Sequence, residues 1–430
     1  MKMKKIRKQK NDTFLRSRGA RFQGNELKYL SEILSSDLKF ATVRSWISRF
    51  ESAFAKRFGA KYAIASNSGT AALHQALAAV GIGPGDEVII PAMTVIMCGY
   101  AVIQMHAVPI YADVDPRTFL IDPLDIERKI TSRTKAIMVV HFCGQVCDMP
   151  AIMKLAKKHN LYIIEDCAQC FLGKDVRGRL AGTIGHIGCF SLESTKTITT
   201  GEGGVLITNN QKLATRIRKF GALGFKRLTA TGAMEMPNAL MFQDPKFLRH
   251  DAFGYNYRMA QPLAAIALAQ LERINIFSKK RIQMARKYTQ ALDGCSWLVP
   301  QYVPKGSIHV YWTFAFLFEG KEKLGISWYD FRDKFIKFGG DKIRSTFALV
   351  YNEPTMINLN RDGRYFVDSD EKQGRHHQGY LKKTDCPVAE KIQPKLMQLT
   401  TNQLTSEDMD HQADALRRTI KYFENHVQKT

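Results

Sequence analysis

Short apolar runs alternate with helically spaced apolar positions through the first half of the chain. Runs rich in β-branched residues are typical of buried strands, and apolar positions three and four apart are typical of helices. The runs are YAIAS (62–66), GPGDEVII (83–90), VPIYADV (108–114), AIMVVHF (136–142), LYIIED (161–166), HIGCFSLE (186–193) and GGVLITNN (203–210). Helical patterns between them cover residues 70–80, 95–105, 123–130 and 149–159. This alternation predicts an α/β fold with a mostly parallel central sheet flanked by helices.

The remaining segments predict a tail and a second, smaller domain. Residues 1–25 are basic and are expected to be a poorly ordered tail. We expect a large α/β domain over residues 26–276 and a smaller α+β domain over residues 277–430. The further elements expected are helices over 26–58, 260–277, 328–338 and 406–427, a basic helix from about residue 278, an irregular loop over 227–250, a strand within 309–318 and a polar stretch over 360–383.

The composition is that of a folded protein without a membrane span. Of the 430 residues, 45% are hydrophobic and 24% are charged. No apolar run reaches the ~18 residues that a transmembrane helix requires, and no apolar segment follows the basic N-terminus as in a secretory signal. The eight cysteines include the pairs Cys143/Cys147 and Cys167/Cys170, but neither pair is accompanied by the second Cys-x-x-Cys or the histidine pair of a zinc site. We therefore expect reduced thiols, no metal site and a cytoplasmic location.

The formal net charge of +23 is unusual for such a chain. It is compatible with nucleic acid, an anionic membrane surface or phosphorylated substrates as partners. The sequence contains no helix-turn-helix, zinc-finger or RNA-recognition signature that would favour nucleic acid. The basic cluster within residues 2–10 is interpreted as a solvated tail.

The stretch from Ile163 to Gly204 contains the candidate chemistry. Asp166 ends an apolar run, and Lys196 follows it thirty residues later, ahead of a Gly-Glu-Gly-Gly turn. Pyridoxal phosphate (PLP) chemistry requires an amine that condenses with the aldehyde and a carboxylate that keeps the pyridine nitrogen protonated. Asp166 and Lys196 are the candidates for these two roles. Helix capping by Asp166 and a solvated charge at Lys196 are the structural alternatives.

A second candidate feature is the segment SNSGTAALHQAL over residues 66–77. Small residues between a strand and a helix leave backbone N–H groups free for a phosphate at the positive end of the helix dipole. Gly69 permits close approach, and Thr70 can donate from its side chain and amide. Ser191 can donate to the same phosphate. Many α/β proteins carry such a turn for structural reasons alone, so this signal is weak by itself.

Four motifs in this order give a resemblance to a known family. SGTAAL, EDCAQ, FSLESTKTITTGEGG and GYNYRM followed by AAIALAQLERI resemble the DegT/StrS sugar aminotransferases, which are PLP-dependent transferases of fold type I in the aspartate aminotransferase superfamily. The resemblance implies a homodimer with active sites shared at the subunit interface. It also implies transfer of an amino group from glutamate or glutamine to a keto-sugar nucleotide or keto-cyclitol.

The resemblance also implies roles for individual residues. Lys196 would form the internal aldimine with PLP and carry the proton in a ping-pong mechanism. Asp166 would pair with the pyridinium nitrogen, and Gln169 would reach the ring hydroxyl. Relatives that dehydrate their substrate have histidine at the position of Lys196, so the lysine favours amino transfer.

Five further positions are assigned to the cofactor by the same resemblance. Gly69, Thr70 and Ser191 would hold the phosphate, and Asn256 would reach the phosphate of the neighbouring subunit's cofactor. Val95 stands where the family often has an aromatic residue that stacks on the ring. An aliphatic side chain there fills the space without aromatic stacking geometry.

These implications predict amination of a keto-sugar, in the first place a nucleotide-linked one, in amino-sugar biosynthesis such as that of lipopolysaccharide. A keto-cyclitol or a keto-octulosonate is the alternative acceptor, and a dehydratase is disfavoured by Lys196. From a different class, the chain could be a non-catalytic protein that binds anions or nucleic acid on the same scaffold. The segment 339–354 and the polar stretch after it differ from the shorter family members, which leaves the sugar, the carbon aminated and the donor open.

Overall fold

A seven-stranded sheet is the centre of the computed structural model of the chain, which describes residues 19–35, 45–232, 243–362 and 385–427. The strands are β1 (Tyr62–Ser66), β2 (Glu87–Pro91), β3 (Val108–Ala112), β4 (Thr134–Val140), β5 (Tyr162–Asp166), β6 (Ile187–Ser191) and β7 (Gly204–Thr208). Each lies within or beside an apolar run that predicted it. Most of the predicted tail and of the polar stretch over 360–383 lies outside the described residues.

The strand order is β1-β7-β6-β5-β4-β2-β3, and only β7 runs antiparallel to its neighbours. Strands β2, β6 and β7 are buried along their whole length, as expected for a sheet covered on both faces. The predicted fold class is confirmed. Because β4, β5 and β6 are parallel neighbours, their carboxyl ends meet at one edge of the sheet, where ligands of such folds bind.

Helices cover both faces of this sheet. They are α1 (Glu26–Leu34), α2 (Trp46–Phe58), α3 (Gly69–Ala79), α4 (Met97–Gln104), α5 (Pro123–Lys129), α6 (Met149–His159), α7 (Gln211–Gly221) and α8 (Gln261–Glu272). Helix α7 was not predicted, although its signals are present. Asn210 caps it by accepting from two backbone N–H groups, and Leu213, Ala214 and Ile217 are buried on one face.

The helix predicted over 260–277 ends earlier than expected, and its last residues belong to the basic helix that was predicted to begin near 278. Arg273, with φ −106° and ψ 4°, separates α8 from α9 (Ile274–Ala291). Alanines fill much of the buried face of α8, which lets it pack closely against α1 and α2. Helix α9 then leads away from the large sheet into the second part of the chain.

A four-stranded antiparallel sheet, ordered β10-β11-β9-β8, organises the C-terminal part. Its strands are β8 (Leu298–Pro300), β9 (Thr313–Phe318), β10 (Arg344–Ser345) and β11 (Leu396–Thr400). The helices here are α10 (Gly320–Leu324), α11 (Trp328–Lys337), α12 (Pro354–Asp362), α13 (Pro387–Ile392) and α14 (Ser406–Val427). Tyr288, Trp297 and Phe331 lie in a separate core beneath this sheet.

Part of the C-terminal region returns to the first core. Val350 and Ala389 are buried against the large domain, and the Val350 N–H donates to the Ala92 carbonyl at 3.1 Å. Asp113, just after β3, accepts from the N–H of Val388 at 2.9 Å and of Ala389 at 2.7 Å. Residues after the predicted boundary near 276 are thus divided between two cores.

None of the helices in the described ranges combines the length and apolar character that crossing a membrane requires.

A nearly buried ion pair joins α2 to α7, and its removal should destabilise the large domain. Both Arg218 Nη atoms donate to the Glu51 carboxylate, at 3.0 and 2.7 Å. Arg218→Met leaves that carboxylate buried without its cation, so we expect a loss of about 3–5 kcal/mol in unfolding free energy. Lys219→Met, which breaks the more exposed pair with Asp251, should cost about 0–1 kcal/mol. Urea unfolding of both variants measures the difference; equal losses would contradict the prediction.

Candidate active site

The two predicted reacting groups lie at the carboxyl edge of the large sheet. Asp166 is the last residue of β5, Ser191 is the last residue of β6, and Lys196 lies in the turn that follows β6. The Lys196 N–H donates to the Glu193 carbonyl at 3.0 Å, which closes this turn. The topology of neighbouring parallel strands therefore places the acid and the amine at the same edge.

The Asp166 side chain is 4% exposed and lacks a strong hydrogen-bonding partner on one oxygen. Its Oδ1 accepts from the Ala168 N–H at 2.9 Å, and its Oδ2 accepts from the Cys98 thiol at 3.4 Å. Burial raises the pKa of Asp166, whereas the Ala168 N–H and the positive charge of Lys196 oppose this rise. A cationic N–H donor placed at Oδ2 would stabilise the ionised form of this carboxylate.

Lys196 is half-buried, and its Nζ lies 4.4 Å from the centre of the Trp312 ring. Burial lowers the pKa of Lys196, while the negative charges of Asp166 and Glu193 act to raise it. The influence is mutual, because the charge of Lys196 also lowers the pKa of Asp166. The charges of the amine and the carboxylate therefore influence each other. Burial also makes the neutral form of the amine more populated than it would be in water.

The start of α3 forms a cradle for an anion next to this pair. Ser68 caps the helix by accepting from the Ala71 N–H at 3.1 Å, and within the described residues the N–H groups of Gly69 and Thr70 have no acceptor. A Cβ atom on Gly69 would lie 2.7 Å from the Ser191 Cβ, so glycine is required for this close approach. The free N–H groups at the positive helix end and the Ser191 hydroxyl fit a phosphate group.

The other residues predicted to contact the cofactor differ in burial and in the contacts they make. Gln169 is buried in the loop after β5, and its Oε1 accepts from the Cys143 N–H at 2.7 Å. Val95 lies half-buried just before α4. Asn256 is exposed, and its Oδ1 accepts from Arg258 Nε at 2.8 Å rather than contacting the cradle. Its predicted partner belongs to a second subunit, so that role stays a prediction.

A buried pair behind Asp166 was not predicted as part of the site. His141 Nδ1 accepts from the Cys147 N–H at 3.2 Å, so its Nε2 carries the hydrogen that is donated to Glu165 at 3.0 Å. Glu165 also accepts from the N–H groups of Gly182, Ile184 and Gly185. These hydrogen bonds account for the closeness of His141 and Glu165, which Cys167 also adjoins, and they support the edge of the sheet.

Cys98 and Trp312 are further contacts of the site that sequence reasoning missed. Cys98 meets Asp166 from 68 positions away, and Trp312 reaches Lys196 from the C-terminal part of the chain. Neither lies in a pattern that distinguishes it from an ordinary apolar residue of a helix or strand. A surface cavity of about 600 Å³ lies at the opposite, amino edge of the sheet and contains neither Asp166 nor Lys196. The chemistry-bearing groups therefore do not line it.

Comparison with known proteins agrees with this geometry. The sequence profile of the DegT/DnrJ/EryC1/StrS aminotransferase family matches residues 21–357. GDP-perosamine synthase of Caulobacter vibrioides is 40% identical over 296 residues, which is 69% of this chain and 75% of that protein. GDP-perosamine synthase of Escherichia coli O157:H7 is 38% identical, covering 77% and 84% of the two chains. L-glutamine:2-deoxy-scyllo-inosose aminotransferase of Streptomyces lividus is also 38% identical, covering 62% and 61%.

Solved structures extend the similarity to nearly the whole chain. The X-ray structure of the aminotransferase from Psychrobacter cryohalolentis has a TM-score of 0.80 and 29% identity, covering 94% of this chain and 98% of that chain. The resemblance predicted from the four motifs is thereby confirmed. The chain belongs to the DegT/DnrJ/EryC1/StrS aminotransferase family and is a PLP-dependent transaminase with a fold type I architecture.

Proposed function

We propose that this enzyme transfers an amino group from glutamate or glutamine to a nucleotide-linked keto-sugar in amino-sugar biosynthesis. The observation that supports the proposal is the pair formed by the buried Asp166 and the half-buried Lys196, beside an anion cradle at the carboxyl edge of the sheet. An amine, an acid and a phosphate site together are what PLP requires of a protein. A protein that only bound anions would gain nothing from the buried acid.

The residues divide the task of holding PLP, which when bound supplies a ring that stabilises negative charge on a substrate carbon. Gly69, Thr70 and Ser191 would bind its phosphate through N–H and hydroxyl groups. Asp166 would accept from the pyridinium N–H and keep it protonated, because a buried carboxylate without a cation favours such a partner. Gln169 and Val95 would contact the ring hydroxyl and the ring face.

Lys196 Nζ is the proton carrier in this proposal. Its pKa is lowered by burial, so the neutral amine that accepts a proton is populated closer to neutral pH. The indole of Trp312 beneath Nζ restricts its path, and the turn closed by Glu193 fixes its backbone. The side chain can therefore take a proton at one position and return it at another without leaving the site.

The acceptor is inferred from the relatives and from charge. The names of two relatives describe a GDP-linked product, and a net charge of +23 suits a substrate with a diphosphate. A keto-cyclitol is the second candidate, because a relative of 38% identity is named as an inosose aminotransferase. A keto-octulosonate has no such support.

We further propose a homodimer that shares its active sites. Asn256 lies on an exposed segment next to the cradle, since the carbonyl of neighbouring Tyr257 accepts from the Asn67 N–H at 2.8 Å. Phe253 on the same segment is 77% exposed, and Tyr255 stacks on Tyr257. An exposed aromatic segment of this kind suits burial against a second copy. A cytoplasmic location stays a prediction.

Replacing Lys196 should remove the amine that binds and reacts. We expect the Lys196→Ala enzyme to lose its yellow colour and to retain no PLP covalently after borohydride reduction. Its turnover should fall about 10²–10⁴-fold. Lys212→Ala, at an exposed lysine of α7, is the matched control and should keep all three properties. Peptide mapping of the labelled enzyme identifies the lysine; labelling that persists in Lys196→Ala would refute the assignment.

Replacing the buried acid should weaken cofactor binding. Asp166→Asn removes the negative charge opposite the pyridinium, so we expect PLP affinity of the apoenzyme to fall about ten- to hundredfold. Cys98→Ala removes only the weak thiol donor and should have a much smaller effect. Absorbance titration of the apoenzymes with PLP gives both values, and an unchanged affinity in Asp166→Asn would contradict the role of this residue.

The substrate class is tested by a paired screen. GDP-, UDP- and dTDP-linked keto-sugars and 2-deoxy-scyllo-inosose are incubated with glutamate or glutamine, and mass spectrometry follows the aminated product. We expect a nucleotide-linked keto-sugar to be aminated most rapidly, with a 2-oxo acid formed in equal amount. Preference for the free cyclitol would replace the leading proposal by the second one.

A further inference from the structure

Trp312 brings an aromatic ring from the C-terminal part of the chain to the reacting amine. It stands immediately before β9 and is 8% exposed. Lys196 Nζ lies 4.4 Å from the centre of its ring, and the face of an indole ring attracts a cation. Within the described ranges, Nζ makes no hydrogen bond and no ion pair. Among these residues, the ring is thus the group that the structure places against this amine.

Hydrogen bonds at both ends hold Trp312 in place. Its indole Nε1 donates to the Thr195 carbonyl at 3.1 Å, in the turn that carries Lys196. Its carbonyl accepts from Arg281 Nη1 at 2.8 Å, and the same Nη1 donates to Thr401 Oγ1 at 3.0 Å. Arg281 belongs to α9, and Thr401 follows β11. The ring is therefore fixed between the reacting turn and the C-terminal part of the chain.

The N-terminal segment also holds this turn, independently of Trp312. Arg21 donates from Nη1 to the Ser194 carbonyl at 2.9 Å and from Nη2 to the Lys196 carbonyl. The Lys196 N–H donates to the Glu193 carbonyl at 3.0 Å. The backbone of Lys196 thus has supports that do not involve the indole. A change at the ring should therefore act on the side-chain amine rather than on the turn.

The charged and titratable groups that face Lys196 come from four elements. They are Asp166 at the end of β5, Glu193 in the same turn, Cys98 in α4 and Arg281 in α9. The two acids favour the ammonium, and the arginine disfavours it. The Glu193 carboxylate already accepts from two hydroxyl groups of its own turn, and Asp166 would face the pyridinium of PLP. The uncharged ring face remains available to the ammonium.

A lysine that carries a proton needs both of its forms. The neutral amine takes the proton, and the ammonium must hold it until it is returned. Burial favours the neutral form of Lys196 and disfavours the ammonium. A ring face stabilises a shielded cation without being able to accept its proton. A carboxylate in the same place would bind the ammonium more strongly, but it could also take the proton.

We propose that Trp312 is a positioning residue whose ring face holds the protonated form of Lys196 until the proton is returned. This inference rests on the proposed aminotransferase function and deepens it, because it gives the C-terminal part of the chain a role in proton transfer. Both half-reactions pass a proton through the same amine, so loss of the ring should slow both of them. A residue that recognised only one substrate would affect only one half-reaction.

The first test measures the protonation of Lys196 without the cofactor. Limiting acetic anhydride labels the apoenzyme at a series of pH values, and peptide mapping gives the midpoint of Lys196 reactivity. We expect Trp312→Leu to lower this midpoint by about one pH unit, because the ammonium loses the ring face. If the ring only excluded water, the variant would hydrate the amine and the midpoint would rise. Trp328→Leu, at a half-buried tryptophan of α11, is the matched control and should leave it unchanged.

The second test weakens the ring face without changing its shape. Expression with a fluorinated tryptophan replaces every indole by one whose face attracts a cation less strongly, because fluorine withdraws electron density from the ring. We expect fluorination to lower the midpoint of Lys196 in the wild-type chain and to have no effect in Trp312→Phe. Without fluorine, Trp312→Phe keeps a ring face but not the N–H, so its midpoint should lie between wild type and Trp312→Leu.

The third test uses the holoenzyme and follows each half-reaction by stopped-flow absorbance. PLP-loaded enzyme is mixed with glutamate or glutamine, and amine-loaded enzyme is mixed with the keto-sugar. We expect Trp312→Leu to lower the limiting rate of both half-reactions about tenfold. The substrate concentrations for half-maximal rate should change by less than about twofold, because the ring acts on the proton rather than on substrate binding. Trp312→Phe should recover most of the rate.

The outcomes separate this proposal from the proposed function. An unchanged or raised midpoint in Trp312→Leu would overturn it, and so would a rate loss confined to one half-reaction, which would assign Trp312 to a single substrate. If no keto-sugar is aminated but the labelling midpoint falls as expected, the acceptor is wrong and the role of Trp312 stands. If Trp312→Leu does not fold, the fluorinated chain decides the question, and a midpoint insensitive to fluorination contradicts the proposal.

Discussion

The structure depends on one constraint: the carboxylate of Asp166 and the amine of Lys196 must lie close together where each is shielded from water. Desolvation disfavours the charged form of each group, raising the pKa of Asp166 and lowering that of Lys196, while each charge partly stabilises the other. Two such groups keep their separation, and with it their shifted pKa values, only when the backbone around them is rigid. Parallel strands supply that rigidity, because β5 and β6 end side by side within a sheet that helices cover on both faces.

The supports of this edge are made of hydrogen bonds rather than apolar packing alone. Glu165 points to the opposite face from Asp166, where it satisfies three N–H groups of the following loop and accepts from His141. Both carboxylate oxygens of Glu165 and both ring nitrogens of His141 have partners, so the strand end cannot shift without leaving several groups unsatisfied. On the other side, the contact of Gly69 with Ser191 holds the helix start against β6.

Local patterns in the sequence were sufficient to predict the strands of the large sheet, most of the helices and the two candidate reacting residues. The seven strands follow from apolar runs, and Asp166 and Lys196 stand out because each is a charged residue next to such a run or a glycine turn. Helix α7 was overlooked despite its cap. The boundary between α8 and α9 was expected near residue 278 rather than at Arg273, because no proline or glycine marks the break. The contacts of Cys98 and Trp312 join distant segments, so no local pattern could indicate them.

The attachment of the N-terminal segment has a practical consequence for handling the enzyme. The Arg21 carbonyl accepts from Gln270 in α8 and from Arg273 at the break between α8 and α9, while the Arg21 guanidinium binds the Lys196 turn. A chain shortened past residue 21 would keep every strand of the large sheet. It would lose the hydrogen bonds by which Arg21 joins the junction of α8 and α9 to the turn that carries Lys196. Purification tags and proteolytic trimming at this end should therefore be chosen as carefully as substitutions within the site.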